Sequence, residues 1–376
     1  MSKQITCLTI ALISILSSCG GGGGKQAASA PEGDTVQLKY AKNITLIDHE
    51  GYSEAVLADP WHEGSVLERY LLVPKDAEVP ENLPKGTLLR TPLTRAVAGT
   101  SVHTALMEEL GRTASIAGVC DIDYIDLPEI RQLLKSGTIK NCGSGMNPTT
   151  ETIIDLEPDA LLLSPFQNSN FNKLEQIGVP VVQVADYMEE GPLGRAEWIR
   201  FYGRIFGAEA EADSIFNAVE QEYNTLSAKA KNAGKGKSVL PNKLTGSAWY
   251  VPGGKSPVGH LFADANAVYA WSGDRSTGSI PLSLETVADK AGDADVWYFH
   301  YYGGAAPTKS SMLAENPRFK AFKAFQNGDV YASDLKANLF NDETPFHPER
   351  FLRDIVIITH PGLIPGEPHY LKKIAE

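Results

Sequence analysis

Residues 151–160 read ETIIDLEPDA, and residues 285–294 read ETVADKAGDA. Both open on Glu-Thr, carry an Asp four positions after the Glu, pass a Pro or Gly, and close on Asp-Ala. An apolar run follows each: LLLS at 161–164 and, after Asp295, VWYF at 296–299. A helix that stops at a Pro- or Gly-marked turn and runs into a buried strand is the second half of a βαβ unit. Its recurrence predicts two similar α/β lobes. Each copy also sets an acid, Glu151 or Glu285, in a first helical turn, where a carboxylate faces the positive end of the helix dipole.

The rest of the chain arranges itself around these copies. RAVAG (95–99), a helix over 102–111 and ASIAGV (114–119) precede the first, and VPVVQVAD (179–186) follows it. The second lobe holds a strand at 247–251, the glycine-rich turn VPGGKSP (251–257), a helix over 258–265, a strand at 328–333 and a closing helix over 348–360. Between the lobes, Ile199, Tyr202, Ile205 and Phe206 fall at helical spacing and Gly207 breaks the run. Ala212, Ile215, Phe216, Val219, Tyr223 and Leu226 then predict one helix over 208–232, roughly 37 Å long at 1.5 Å per residue. Two lobes joined by a single long helix leave a cleft, where ligands of such folds usually sit. Upstream, VQLKYA, NITLID and ERYLLV alternate with turns, among them Asp59-Pro60-Trp61-His62, and predict an antiparallel, β-rich preamble.

The chain opens with Lys3 and a mostly apolar stretch from Ile5 to Leu16, the length of a signal-peptide core and short of a membrane span. Leu16-Ser17-Ser18-Cys19 resembles the lipobox of bacterial lipoproteins, which implies acylation of Cys19 and a periplasmic protein tied to a membrane. The expected division is a signal peptide over 1–19, a Gly-rich tether over 20–35, an N-terminal lobe with its preamble over 36–192, an inter-lobe helical segment over 193–232 and a C-terminal lobe over 233–376. A net charge of −12 disfavours nucleic acid as a partner. Outside the leader only Cys120 and Cys142 remain, and an extracytoplasmic pair is expected to form a disulfide. The motifs GxSxG, HExxH and the phosphate-cradling GxxxxGK[ST] are absent from the sequence, so no enzyme is expected. Neither HxH nor HxxxH occurs, so no bare-metal site and no cofactor are expected either.

The strings GPLGRAEWIRFYGRIFG (191–207), AVAGTSVHTALMEELG (96–111), ETIIDLEPDALLLS (151–164), GGKSPVGHLFADANAVYAWSGD (253–274) and SIPLSLETVADKAGDADVWY (279–298) resemble, in order and spacing, the solute-binding proteins of bacterial importers for iron chelates, haem and vitamin B12. The resemblance covers the chain from about Arg95 onward. It implies two Rossmann-like α/β lobes spanned by one helix, a monomer, and delivery of a siderophore, haem or corrinoid to an ABC permease and its ATPase subunits. It further implies that Glu151 and Glu285 dock on permease arginines, a geometry that favours bidentate, charge-assisted contacts. Loops at the C-terminal ends of strands are expected to line the cleft. They offer Ser101, His103, Asp121, Tyr124, Phe166 and Asn168 from the first lobe. From the second come Trp249, Tyr250, Trp271, Arg275, His300, Tyr301 and Tyr302. The aromatic groups suit a flat, partly apolar ligand, and Arg275, helped by Arg90, suits its carboxylates. His103, His260 and His300 are the candidates for a haem-iron ligand.

Overall fold

The strand at the heart of the first lobe is Ala96–Ala98, buried on both faces, in a computed structural model that describes residues 33–376. The signal peptide, most of the tether and Cys19 lie outside the described residues. Across the first sheet the strands run Val181–Gln183, Ala160–Leu163, Ala96–Ala98, Ile116–Val119 and Lys140–Asn141, all parallel. The second sheet runs Val268–Tyr269, Ser238–Pro241, Val296–Tyr301, Val330–Asp334 and Lys372–Lys373, parallel except for the last pair. Both are doubly wound orders that reverse direction beside the lobe's first strand. Their central strands read as unbroken apolar runs because helices cover both faces. A small antiparallel sheet of Leu244–Thr245, Ala248–Pro252 and Ser279–Leu282 is added to the second lobe.

The repeated sequence builds the same joint twice. In the first lobe the helix Thr150–Leu156 ends at Glu157, in the left-handed region at φ 44°, and Asp159 then leads into the strand Ala160–Leu163. The Asp159 carboxylate accepts the amides of Thr94 and Arg95 at 2.6 and 3.0 Å and pairs with Lys75, while its own amide donates to the Arg95 carbonyl. In the second lobe Asp295 follows the helix Leu284–Ala291. Its carboxylate accepts the Ser238 amide at 2.9 Å and pairs with Lys323, and its amide donates to the Ser238 carbonyl. Each lobe therefore ties the entrance of its first strand to the entrance of the strand beside it through one aspartate.

The preamble forms a five-stranded sheet of Asp34–Val36, Ile44–His49, Tyr52–Ala58, Val66–Pro74 and Thr87–Thr91. It is antiparallel except for its final pair, which is parallel. The expected strand at 36–41 ends at Val36, because side chains take its backbone donors. The buried Glu197 carboxylate accepts the amides of Lys39, Tyr40 and Ala41, and the buried Glu189 those of Lys42 and Asn43. Tyr70 donates to the Val181 carbonyl and accepts from the Gln183 amide, which stitches the preamble to the edge of the first lobe.

The lobes are connected through short helices, Pro192–Glu197 and Ile199–Phe206, and then Glu209–Asn232, 24 residues long. Gly207, at φ 62°, ends the second of these. Among the described residues no helix is long and apolar enough to cross a membrane.

Cys120 and Cys142 do not form the expected disulfide. They follow neighbouring parallel strands, and each sulfur is turned to a carbonyl: Cys120 to that of Cys142 at 3.8 Å, Cys142 to that of Lys140 at 3.7 Å. Burial pushes the Cys120 thiol up to about 12 and that of Cys142 to about 11, so neither is a ready nucleophile. Both should alkylate without reductant, and only after unfolding; a mass gain that requires prior reduction would contradict free thiols.

Burial works against the charge on Asp295, yet Lys323 and the Ser238 donors prevail and hold its carboxyl at about 2. Such a depressed acid stabilises the fold above its unfolded value of about 3.9, and the benefit fades as the pH falls toward 2. With the side chain a third exposed, Asp295→Ala should cost on the order of 1–2 kcal/mol in urea titrations at neutral pH. Equal stabilities at pH 7 would refute the joint.

Candidate ligand-binding cleft

Helices antiparallel to parallel strands put their N-terminal ends, and the loops before them, at the C-terminal edge of the sheet. In the first lobe that edge carries Ser101 after Ala96–Ala98, Asp121 and Tyr124 after Ile116–Val119, and Phe166 after Ala160–Leu163. In the second it carries Tyr302 after Val296–Tyr301. The two edges face each other: the Tyr302 hydroxyl donates to the Asp123 carbonyl at 3.5 Å, and the Tyr124 and Tyr302 rings lie 6.5 Å apart, edge to face. Ser101 works from the first lobe to lower the carboxyl of Asp342, which burial raises overall.

Behind these contacts His347 joins the lobes. It sits between Glu109, at the end of the helix Ser101–Glu109, and Glu349, at the start of the helix Pro348–Thr359, with N–O separations of 2.6 and 2.9 Å. Burial opposes its charge, but the two carboxylates overcome it and raise the imidazole to about 9. Tyr202 and Phe346 pack beside it, rings 5.8 Å apart. The other end of the divide is open. A hollow of about 500 Å3 lies there between Tyr187 and Met188 of the first lobe and Pro257, Thr277 and Gly278 of the second. A separate hollow of about 350 Å3 runs along the long helix, where Lys39–Glu220 and Lys231–Asp264 already use its charges on each other.

Several residues offered by the sequence are elsewhere. Trp249 is fully buried and its indole donates to the Pro241 carbonyl, so it is core. His103 is buried, one ring nitrogen on the Leu162 carbonyl and the other on the Ser164 hydroxyl, and burial lowers it to about 4. It holds up the sheet edge and is not free to ligate iron. His300 is likewise lowered to about 4 by burial, against Phe340 and Phe351. Trp271 is buried against Tyr269. Its loop presses on the backbone of Gly253 and Gly254, where any Cβ would meet carbonyl oxygens at 2.2–2.8 Å. Arg90 donates to the carbonyls of Lys75 and Ala77 inside the preamble. Asp121 uses its carboxylate on the Gly145 amide and so braces a hairpin rather than waiting for ligand. Tyr301 is half-buried beside Asp334, while Tyr250 and Arg275 are exposed.

That hairpin, Gly143–Pro148, raises Met146, 71% exposed, at the first-lobe edge. The residue was not singled out from the sequence, although an unbranched apolar side chain in a glycine turn is the available signal. Arg195 was also missed. The buried Asp186 accepts from its Nε at 2.7 Å, and the arginine lines a small inter-lobe void of about 140 Å3 with Pro257, Leu261 and Phe340.

Glu151 and Glu285 are both exposed and both stand at N-terminal helix ends, hence on the cleft side of their sheets. Glu151 makes no ion pair among the described residues, whereas Arg318 bonds to Glu285 at 2.7 Å and holds its carboxyl below the usual range.

Residues 97–337 match the model of the periplasmic binding protein family. The chain belongs to that family. It is a family of substrate-binding transport proteins rather than an enzyme class. An uncharacterised lipoprotein of Methanocaldococcus jannaschii is 30% identical, over 89% of this chain and 85% of that protein. An iron(3+)-hydroxamate-binding protein of Bacillus subtilis is 25% identical, over 55% of this chain and 65% of its own length. Among solved structures, a periplasmic haem-binding protein from Pseudomonas aeruginosa superposes with a TM-score of 0.57 at 17% identity, covering 76% of this chain and 99% of that one. The family match starts after the preamble, while the share aligned with the archaeal lipoprotein is too large to omit it.

The raised imidazole makes a prediction about the lobes. A group raised on folding stabilises fully below its unfolded value, about 6.5 for His, and the benefit is lost as the pH rises through about 9. The parent should exceed His347→Gln in stability by on the order of 2 kcal/mol at pH 6, with the gap closing by pH 10. A gap independent of pH would show that His347 only packs.

Proposed function

We propose that this protein captures a ferric chelate, a siderophore or haem, between its lobes and delivers it to an ABC permease with its ATPase subunits. One observation carries the reading. The facing sheet edges expose Tyr124 (64%), Met146 (71%), Phe166 (43%) and Tyr302 (51%), large apolar groups that a soluble protein ordinarily covers. Rings and a thioether around a divide suit a flat ligand that is apolar on its faces. Among the described residues no three His, Cys, Asp or Glu side chains converge as a metal site. The iron would therefore arrive inside an organic chelator that brings its own donors. The hydroxamate-binding relative supports the siderophore reading, and the haem-binding structure supports only the fold that both ligands share.

The lipobox-like Leu16-Ser17-Ser18-Cys19 and the lipoprotein relative support a lipid-anchored protein on the periplasmic side of a membrane. Glu151 and Glu285 supply one acid per lobe for arginines of the permease. At a rim such pairs set orientation and encounter rate more than affinity.

The purified protein mixed with hemin, a ferric hydroxamate or cyanocobalamin should show an absorption shift and a raised melting temperature with one of the iron compounds. Silence across the panel would end the iron-chelate reading, and a response to the cobalamin alone would reassign it to corrinoids. Glu151→Ala combined with Glu285→Ala should abolish uptake in cells and leave ligand affinity intact. An unchanged uptake rate would remove the docking role.

A further inference from the structure

We infer that the preamble loop Asp59–Ser65 is a third wall of the cleft and receives an apolar, carboxylate-bearing arm of the ligand. The hollow at the open end of the divide is bounded by both lobes and also by Lys42, Asn43 and Pro60, three preamble residues. The family match begins at residue 97, after this wall.

The wall is held in place by bonds that can be followed one by one. Asn43 donates its side-chain amide to the carbonyl of Met188, itself a cleft residue, and its backbone amide to the buried Glu189. The Asn43 carbonyl accepts the amide of Ala58, at the base of the loop. The loop then closes on itself. Asp59 donates its amide to the Ser65 carbonyl, and its carboxylate accepts the amides of Trp61 and His62 and pairs with the His62 ring at 2.9 Å. The tip thus hangs, preordered, from the segment that lines the cleft.

Its chemistry names the guest. Pro60, Pro257, Tyr187 and Met188 present apolar surface. Glu189 is already engaged by the amides of Lys42 and Asn43 and by the Trp198 indole. That leaves the Lys42 ammonium and the Glu190 carboxylate; their pairing is exposed and long at 3.7 Å and therefore weak enough to exchange, and Glu190, 63% exposed, can return to water. An apolar body ending in a carboxylate satisfies both features.

The inference rests on the ligand reading above, and the test separates the two. Titrations of the purified full-length chain with hemin, hemin dimethyl ester, ferrioxamine B and cyanocobalamin first identify what the parent binds. Replacing residues 60–64 by a short Gly-Ser turn, or Pro60→Asp should the first variant fold poorly, is expected to weaken the bound probe about tenfold. Lys42→Glu should weaken hemin but spare its ester. Unchanged affinity in the loop variants overturns the wall while the ligand reading stands. Equal losses for hemin and its ester overturn the carboxylate contact. A parent that binds no probe removes both readings together.

Discussion

The chain crosses between its sheets through a single run of helices, and the packing of that run governs everything the cleft can do. Trp198, Phe201, Tyr202, Ile205 and Phe206 have virtually no exposed surface. Each buried side chain of this size removes about 1.5–3 kcal/mol worth of apolar surface from water, so the connector resists bending. The long helix adds Phe216, Val219, Tyr223 and Leu226 to the same core and packs against the closing helix of the second lobe. A stiff connector fixes how far the two sheet edges stand apart. With that separation set, short reaches such as Tyr302 to Asp123 suffice to span it.

How much of this the sequence discloses depends on which forces write themselves into local pattern. The two lobes are legible because a buried parallel strand must be apolar throughout and must be entered by a turn, and both lobes do this with nearly the same letters. Even so, the copies mislead by two places: Asp159 aligns in sequence with Asp293, but Asp295 is its counterpart in space. The preamble is less legible. Its segment 37–41 alternates as a strand should, yet Glu197 lies more than 150 positions away and claims its amides. The strands at 52–58 and 87–91 each carry a charged residue, Glu54 and Arg90, that interrupts the apolar pattern.

The candidate site divides along the same line. Exposure at a strand end cannot be read from residue type, since Trp and Tyr serve cores and clefts alike. Alternation within AWYVP (248–252) would have helped: Trp249 and Val251 point inward, Tyr250 outward. Tyr124 and Tyr302 meet only because two loops from different lobes converge, which no local signal records. The disulfide expectation failed for a geometric reason, as two cysteines after adjacent strands can be neighbours and still direct their sulfurs to backbone oxygens.

The pairing of Arg318 with Glu285 makes the two ends of the molecule unequal. A guanidinium approaching Glu151 meets a carboxylate that makes no ion pair among the described residues, while one approaching Glu285 must evict a resident of identical chemistry. The second event is a swap, close to balanced in bond strength, and such a swap reverses as easily as it occurs. Under the proposed docking role, the protein's own arginine stands ready to reclaim the acid after each delivery.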